Sequence, residues 1–182
     1  MTTTPCFVIR NVAPKVAEID LLDGIGGWWG VEASELIREI RDIDADEIRL
    51  NINSPGGSVF DGVAILNALR QHPAKVVANV LGLAASAASF IAVGCDEVVM
   101  ADNSTMMIHD ASGVVVGNAQ DMSEMSDLLD MLSDNIASIY AAKAGGTAQE
   151  WRATMRGEKW YTADAAVEAG LADRVDQRPA VE

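Results

Sequence analysis

The chain has 182 residues, of which 49% are hydrophobic, 22% are charged and 5% are aromatic. This length accommodates one domain with a substantial core, and the apolar fraction excludes an intrinsically disordered chain. The net charge of −14 makes nucleic acid and anionic membrane surfaces unfavourable partners, because both would repel the protein.

The sequence predicts neither a targeting segment nor a metal site. Residues 1–5 lack the basic and apolar regions of a signal peptide, and polar residues interrupt the most apolar stretch, residues 76–93. The two cysteines, Cys6 and Cys95, have no metal-ligand spacing, and the chain has only two histidines. We therefore expect a soluble cytoplasmic protein that needs no metal, nucleotide or organic cofactor.

Apolar periodicity predicts alternating helices and strands along the first two thirds of the chain. The predicted elements are a helix at 34–43, a strand at 47–52, a helix at 60–71, a strand at 75–81, a helix at 84–93, and strands at 97–100 and 105–109. A short helix at 148–155 follows later, and Thr162 has the character of an N-cap for another. This alternation indicates a layered α/β fold with both faces of the sheet covered.

Residues 118–143 differ from the rest because they predict one long helix. Its apolar residues are spaced 3, 4, 3, 4, 3: Met122, Met125, Leu129, Leu132, Ile136 and Ile139. A helix of this length spans about 39 Å, more than a compact domain of this size needs. It is either a long core helix or a projecting helix whose apolar face meets a copy of itself.

Histidine and serine are the candidate residues for acid–base and nucleophilic chemistry. His72 falls in a polar loop, whereas His109 ends the apolar run 106–108, where a strand delivers it to the edge of a sheet. Ser86 lies among small residues just after a valine-rich strand, at a predicted helix start. Each signal alone is also compatible with a structural role.

The turn at residues 53–57, Asn-Ser-Pro-Gly-Gly, could be a connector or half of an oxyanion hole. Three segments in order, 52–57, 82–86 and 107–109, resemble the motifs of the Clp protease proteolytic subunit (ClpP) family. Residues 165–173 resemble its closing segment, so that the resemblance spans about 47–175.

The resemblance implies a ClpP/crotonase-like α/β fold, made of layered β-β-α units with a projecting handle helix. It implies one domain at 1–182, with its core at about 18–117 and 146–176 and the handle at about 118–144. In that family, the handle makes contacts between stacked rings.

The resemblance also assigns roles by position. Ser86 matches the nucleophile, and His109 matches the general base that takes its proton. The amides of Gly57 and Ala87 match the donors to the oxyanion, and Gly56 belongs to the same substrate-binding turn.

The third position of the triad falls on Glu158, twelve residues before Gly170, where housekeeping members have Asp. A Glu carboxylate can orient an imidazole as Asp does, from one methylene further away. Asp164 is a weaker candidate, because it suits the first turn of a helix capped by Thr162. Gly157 replaces an Arg that usually links ring assembly to the triad.

The Glu158-x-Trp160 sequence, the N-terminus and the apolar spacing resemble the ClpP-related head-maturation (prohead) proteases of bacteriophages and prophages. That subtype implies capsid or scaffold proteins as substrates, in a bacterial host's cytoplasm or inside a procapsid. The broader family implies a ring-shaped homo-oligomer, with heptamers or stacked heptamers as candidate forms, and an ATP-dependent unfoldase as candidate partner. The hypothesis is a serine endopeptidase that needs no ATP by itself.

Three other hypotheses stay open. The chain could be a housekeeping-type peptidase subunit that works with an unfoldase, or a catalytically silent ring-forming scaffold whose triad is degenerate at Glu158. Crotonase-type acyl-CoA hydratases and isomerases share the fold. The net charge of −14 and the Ser86 and His109 motifs argue against binding of anionic CoA.

Overall fold

The computed structural model describes residues 7–27 and 30–176, so Cys6 and the N-terminal residues considered above lie outside the described residues. The strands of this part are β1 (Phe7–Ala13), β2 (Val16–Leu21), β3 (Glu47–Ser54), β4 (Lys75–Ala85), β5 (Glu97–Ala101), β6 (Thr105–Ile108), β7 (Lys159–Thr162) and β8 (Arg174–Asp176). The helices are α1 (Ala33–Asp42), α2 (Val59–Gln71), α3 (Ala87–Val93), α4 (Ala119–Ala144), α5 (Ala148–Met155) and α6 (Ala163–Glu168).

The described strands form one sheet in the order β1-β2-β3-β4-β5-β8, with β6 beside β4 and β7 beside β6. The pairs β1–β2 and β6–β7 are antiparallel, and the other pairs are parallel. Parallel neighbours need crossover connections, which α1, α2 and α3 provide between successive strands. The predicted mixed α/β architecture is confirmed.

The first two strands were not among the predicted elements, although the second carries the expected signal. In β2, Ala17, Ile19 and Leu21 are buried and alternate with half-buried residues, which is the period of a strand with one face in the core. The sheet consequently begins at Phe7, before the start of the core expected at about residue 18.

Strand β4 is longer than predicted and changes partner along its length. Residues Val77–Val80 pair with β5, whereas Leu83–Ala85 pair with β6. The predicted helix start at Ala84 is therefore wrong, because the strand continues to Ala85 and the helix begins at Ala87. Alanine favours helix locally, but pairing with β6 overrides that propensity.

Helix α4 begins after a capping box made by Asn118 and Asp121 and ends at Gly145, whose φ is +79°. Its burial changes along the helix: residues before Leu132 are half-buried or exposed, and those that pack into the core start there. Of the predicted apolar face, Leu132, Ile136 and Ile139 are buried, whereas Met122 is 43% exposed. One half of α4 therefore belongs to the core and the other extends from it.

Among the residues that the structure describes, no helix combines the length and hydropathy that a membrane span requires.

Candidate active site

Ser86 occupies the turn between β4 and α3, where the strand has ended and the helix has not begun. Its φ of +54° and ψ of −122° are costly for a residue with a Cβ atom. Its amide donates a hydrogen bond of 3.0 Å to the carbonyl of Met107 on β6. This bond ties the strained turn to the neighbouring strand.

His109 directly follows β6, which runs parallel to β4 and pairs with its last three residues. Because both strands end at the same edge of the sheet, the two side chains meet. His109 Nε2 lies 2.7 Å from Ser86 Oγ. This distance permits proton transfer from the hydroxyl to the imidazole.

Gly57 and Ala87, whose amides are the predicted donors to the oxyanion, belong to two different segments near Ser86. Ala87 is the first residue of α3, so its N–H has no acceptor within the helix. On the other side, Ser58 N donates to the carbonyl of Ile25, and Ile25 N donates to the carbonyl of Gly56, both at 2.8 Å. Neither bond uses the N–H of Gly57, which lines the same pocket as Ser86 and His109.

Gly56 contributes space rather than a free donor. Its N–H donates to Ser54 Oγ at 3.1 Å. A Cβ atom at this position, where φ is +87°, would lie 2.5 Å from the carbonyl oxygen of Ala85 and 2.7 Å from the nitrogen of Ala87. A glycine here therefore lets the 53–57 turn pack directly on the turn that carries Ser86.

The carboxylate of Glu158 is not brought onto His109. Glu158 has a φ of +45°, is exposed, and accepts a hydrogen bond of 3.1 Å from Trp160 Nε1. Its backbone is nevertheless close in register to His109, because the adjacent residues Ile108 and Lys159 are partners in the β6–β7 ladder. Ser86 and His109 thus form a hydrogen-bonded pair, whereas the Glu158 carboxylate is bound by Trp160.

A small pocket of about 40 Å³ opens beside Ser86 and His109. Phe90, Ile136 and Tyr140 line its apolar part, so the core half of α4 supplies one wall. A larger cavity of about 500 Å³ lies at the opposite end of β4 and contains none of the predicted catalytic residues. The chemistry of the side chains, rather than cavity size, therefore marks the candidate site.

Sequence reasoning missed an ionic cluster next to the site, centred on a buried arginine. Arg152 on α5 is 7% exposed and binds Asp110 at 2.8 Å, Asp130 at 2.6 Å and Asp134. The hydrogen bond that Arg152 donates to Asp110, followed by those that it donates to the two α4 aspartates, raises the pKa of Arg152 above its already high ordinary value. The cluster fastens the residue after His109 to α4 and α5, and no local sequence pattern signals it.

Comparison with known proteins identifies the family. A family model described as Clp protease matches residues 34–179, more than half of the chain. The chain belongs to the Clp protease family. Its members are serine-type endopeptidases, and the predicted family and fold are confirmed.

Individual relatives carry the same description. The chain is 32% identical over 131 residues to the ATP-dependent Clp protease proteolytic subunit 3 of Rhodococcus jostii, covering 71% of this chain and 65% of the relative. It is 30% identical over 149 residues to proteolytic subunit 2 of Corynebacterium efficiens, covering 79% and 75%. It is 31% identical over 149 residues to the proteolytic subunit of Chlorella vulgaris, covering 79% and 74%. The chain thus spans about two thirds to three quarters of the length of these relatives.

These relatives support the family and not the finer subtype. None of the three is described as a head-maturation protease, so that interpretation stays a prediction.

Proposed function

We propose that this chain is a proteolytic subunit that hydrolyses peptide bonds by serine chemistry. The observation that carries the proposal is the 2.7 Å contact between Ser86 Oγ and His109 Nε2, made where two parallel strands end. Membership of the Clp protease family supports the same reaction class.

In the proposed reaction, His109 takes the Ser86 proton as Oγ attacks the scissile carbonyl carbon, and the N–H groups of Gly57 and Ala87 stabilise the oxyanion. The imidazolium then protonates the leaving amine as the C–N bond breaks, which leaves an acyl-enzyme. His109 next deprotonates a water molecule that attacks the ester carbon and frees the serine. The cycle consumes water and needs no cofactor or ATP.

Glu158 is the proposed orienting acid for His109. Within the part of the chain that the structure describes, Nε2 is the His109 ring nitrogen with a hydrogen bond. We propose that the Glu158 side chain rotates away from Trp160 Nε1 and accepts a hydrogen bond from His109 Nδ1; the pairing of the adjacent residues Ile108 and Lys159 supports this. This bond would fix the tautomer and stabilise the imidazolium.

We further propose that the subunits assemble into rings, heptamers or stacked heptamers, through the projecting half of α4. The half-buried and exposed residues before Leu132 support this contact. The apolar side chains of this half of α4 are not buried in the core, unlike those of the other half.

Two cellular roles fit such a ring. One is trimming of capsid or scaffold proteins during phage head maturation, supported by the Glu158-x-Trp160 resemblance. The other is a housekeeping subunit that works with an ATP-dependent unfoldase, supported by the names of the relatives. Cleavage of a folded protein only when a Clp-type ATPase and ATP are added would favour the second role, and ATP-free processing of a scaffold protein would favour the first.

Labelling with a fluorophosphonate probe, with intact mass to locate the adduct, tests the reaction class. We expect one adduct on Ser86 in the wild type, none in Ser86→Ala, and labelling at least about 100-fold slower in His109→Ala. Ser126→Ala, a change on the exposed surface of α4, is the matched control and should label like the wild type.

Two results would reject the proposal. Full peptidase activity in a clean preparation of Ser86→Ala would exclude the assigned nucleophile. Absence of any adduct in an assembled ring would favour a catalytically silent scaffold.

A further inference from the structure

The peptide group that joins Ser86 to Ala87 has an N–H and a carbonyl with different hydrogen-bonding roles. Its N–H end is the proposed donor to the oxyanion. Its carbonyl end, the Ser86 oxygen, accepts a hydrogen bond of 3.0 Å from the amide of Ser89 and one of 2.6 Å from Ser89 Oγ. Whatever holds this carbonyl therefore also sets the direction of the Ala87 N–H.

The side-chain bonds form a directed chain. Ser89 has one hydroxyl proton, and the bond to the Ser86 carbonyl uses it. Ser89 Oγ also lies 2.7 Å from the hydroxyl oxygen of Tyr140, so Tyr140 must be the donor in that contact. The order is Tyr140 O–H to Ser89 O–H to the Ser86 carbonyl.

Tyr140 is well placed to act as a fixed donor. It is 1% exposed, and its ring packs against Trp151 at a centroid distance of 6.0 Å. The indole of Trp151 in turn donates to the carbonyl of Gly145 at 2.8 Å, which holds the ring at the end of α4. Burial raises the pKa of the Tyr140 hydroxyl above its ordinary value, so the donor keeps its proton at neutral pH.

We propose that Tyr140 and Ser89 are positioning residues for the oxyanion hole, through a hydrogen-bond chain that orients and polarises the Ser86–Ala87 peptide. The inference rests on the proposed peptidase function. Hydrogen bonds in series polarise one another, so a bond at the carbonyl strengthens the N–H of the same peptide as a donor. These hydrogen bonds also hold the Ser86 backbone in its strained conformation, with φ at +54°.

This role affects the transition state more than substrate binding, because the oxyanion exists only after attack has begun. Removing a direct oxyanion donor lowers kcat by about 10²- to 10³-fold. Tyr140 and Ser89 act through another group, so we expect a fall in kcat of about 3- to 30-fold with little change in KM.

The kinetic test compares Tyr140→Phe and Ser89→Ala with two controls that remove the hydroxyl of a buried residue elsewhere. The controls are Tyr161→Phe, and Ser104→Ala, whose Oγ has no hydrogen-bond partner in the described part of the chain. We expect the first two variants to lower kcat and the controls to leave it unchanged. The double variant should be no slower than Ser89→Ala, because Tyr140 acts through Ser89.

A spectroscopic test does not depend on activity. The chain contains a single Ser–Ala dipeptide, Ser86-Ala87. Labelling serine carbonyls with ¹³C and alanine nitrogens with ¹⁵N therefore gives one cross-peak in an HNCO spectrum, which reports this peptide alone. Tyr140→Phe and Ser89→Ala should move its carbonyl shift upfield, as expected for a weakened hydrogen bond, and Tyr161→Phe should not.

The outcomes separate this inference from the proposed function. An unchanged kcat in Tyr140→Phe, or an unmoved carbonyl signal in both variants, would overturn the inference. A fall in kcat/KM that comes entirely from KM would also overturn it. A wild type without peptidase activity whose carbonyl signal still moves in Tyr140→Phe would reject the proposed function and support the orienting contact.

Discussion

Gly56 allows two backbone segments to approach each other at the site. Gly56→Ala should slow labelling of Ser86 by more than about 100-fold, because the new Cβ would lie 2.7 Å from the nitrogen of Ala87 and displace a proposed oxyanion donor. Gly145→Ala is a matched control: its φ of +79° is similar, but no atom lies within 4 Å of its added Cβ.

Both variants should lose about 1–2 kcal/mol of folding free energy from backbone strain, and Gly56→Ala should lose more, because its Cβ also overlaps backbone atoms of Ala85 and Ala87; urea unfolding measures both losses. Only Gly56→Ala should also slow the labelling of Ser86. Equal reactivity of the two variants would contradict a role for the close approach.

Glu158 and Trp160 provide a test of the third triad position. Glu158→Gln should lower kcat by about 10- to 100-fold, because the imidazolium would lose its counter-charge. Trp160→Phe removes the N–H that now holds the Glu158 carboxylate, so the carboxylate is free to reach His109. We expect Trp160→Phe to raise kcat by about 2- to 5-fold, measured with a fluorogenic peptide.

The exposed Glu168 supplies the control for both changes. Glu168→Gln removes the same charge on α6 and should leave kcat unchanged. If Glu158→Gln behaves like Glu168→Gln, Glu158 is a surface residue and the acid must be sought elsewhere.

At the scale of elements, α4 joins a core segment to a projecting one. Its core half supplies Ile136 and Tyr140 to the pocket beside Ser86, and its acidic residues Asp130 and Asp134 bind Arg152. The segment 110–117, which links His109 to α4, has no regular secondary structure and exposes Val114 and Val116 by more than 90%. His109, the proposed general base, is thus joined through this segment to the two most exposed large apolar side chains of the described residues.

The projecting half predicts a defect in assembly that is separable from folding. Met122→Glu places a charge on the exposed end of the apolar face, so we expect smaller assemblies by analytical ultracentrifugation and an unchanged far-ultraviolet circular dichroism spectrum. Ser123→Glu adds the same charge at a neighbouring exposed polar position and should assemble like the wild type. Identical sedimentation of both variants and the wild type would remove this half of α4 from the proposed interface.

At the scale of the whole molecule, apolar periodicity in the sequence predicts the helices and strands that bury one face along their length. Strand β3, helix α2 and the long α4 were expected from apolar spacing, and the structure has them within a few residues. The end of β4 was misplaced because its last residues are held by β6, more than 20 residues later in the chain. Tertiary pairing of this kind leaves no trace in the local sequence.

The candidate site likewise contains residues that local motifs predict and contacts that they do not. Short ordered motifs predict Ser86 and His109, whose side chains lie 2.7 Å apart in the structure. The contact between Ser89 and Tyr140 joins residues 51 positions apart, and that of Arg152 with Asp110 joins residues 42 apart. Neither pair follows a local pattern, because the partners lie far apart in the sequence.

The order in which the site's parts occur along the chain has a consequence for synthesis. Gly57, Ser86 and His109 precede α4, whose Ile136 and Tyr140 complete the pocket. A chain still on the ribosome therefore carries its proposed nucleophile and base before Ile136 and Tyr140, which line the pocket beside them, have been made. Because a domain generally folds as a unit, we expect a nascent subunit to be inert toward neighbouring chains until α4 has folded against the sheet.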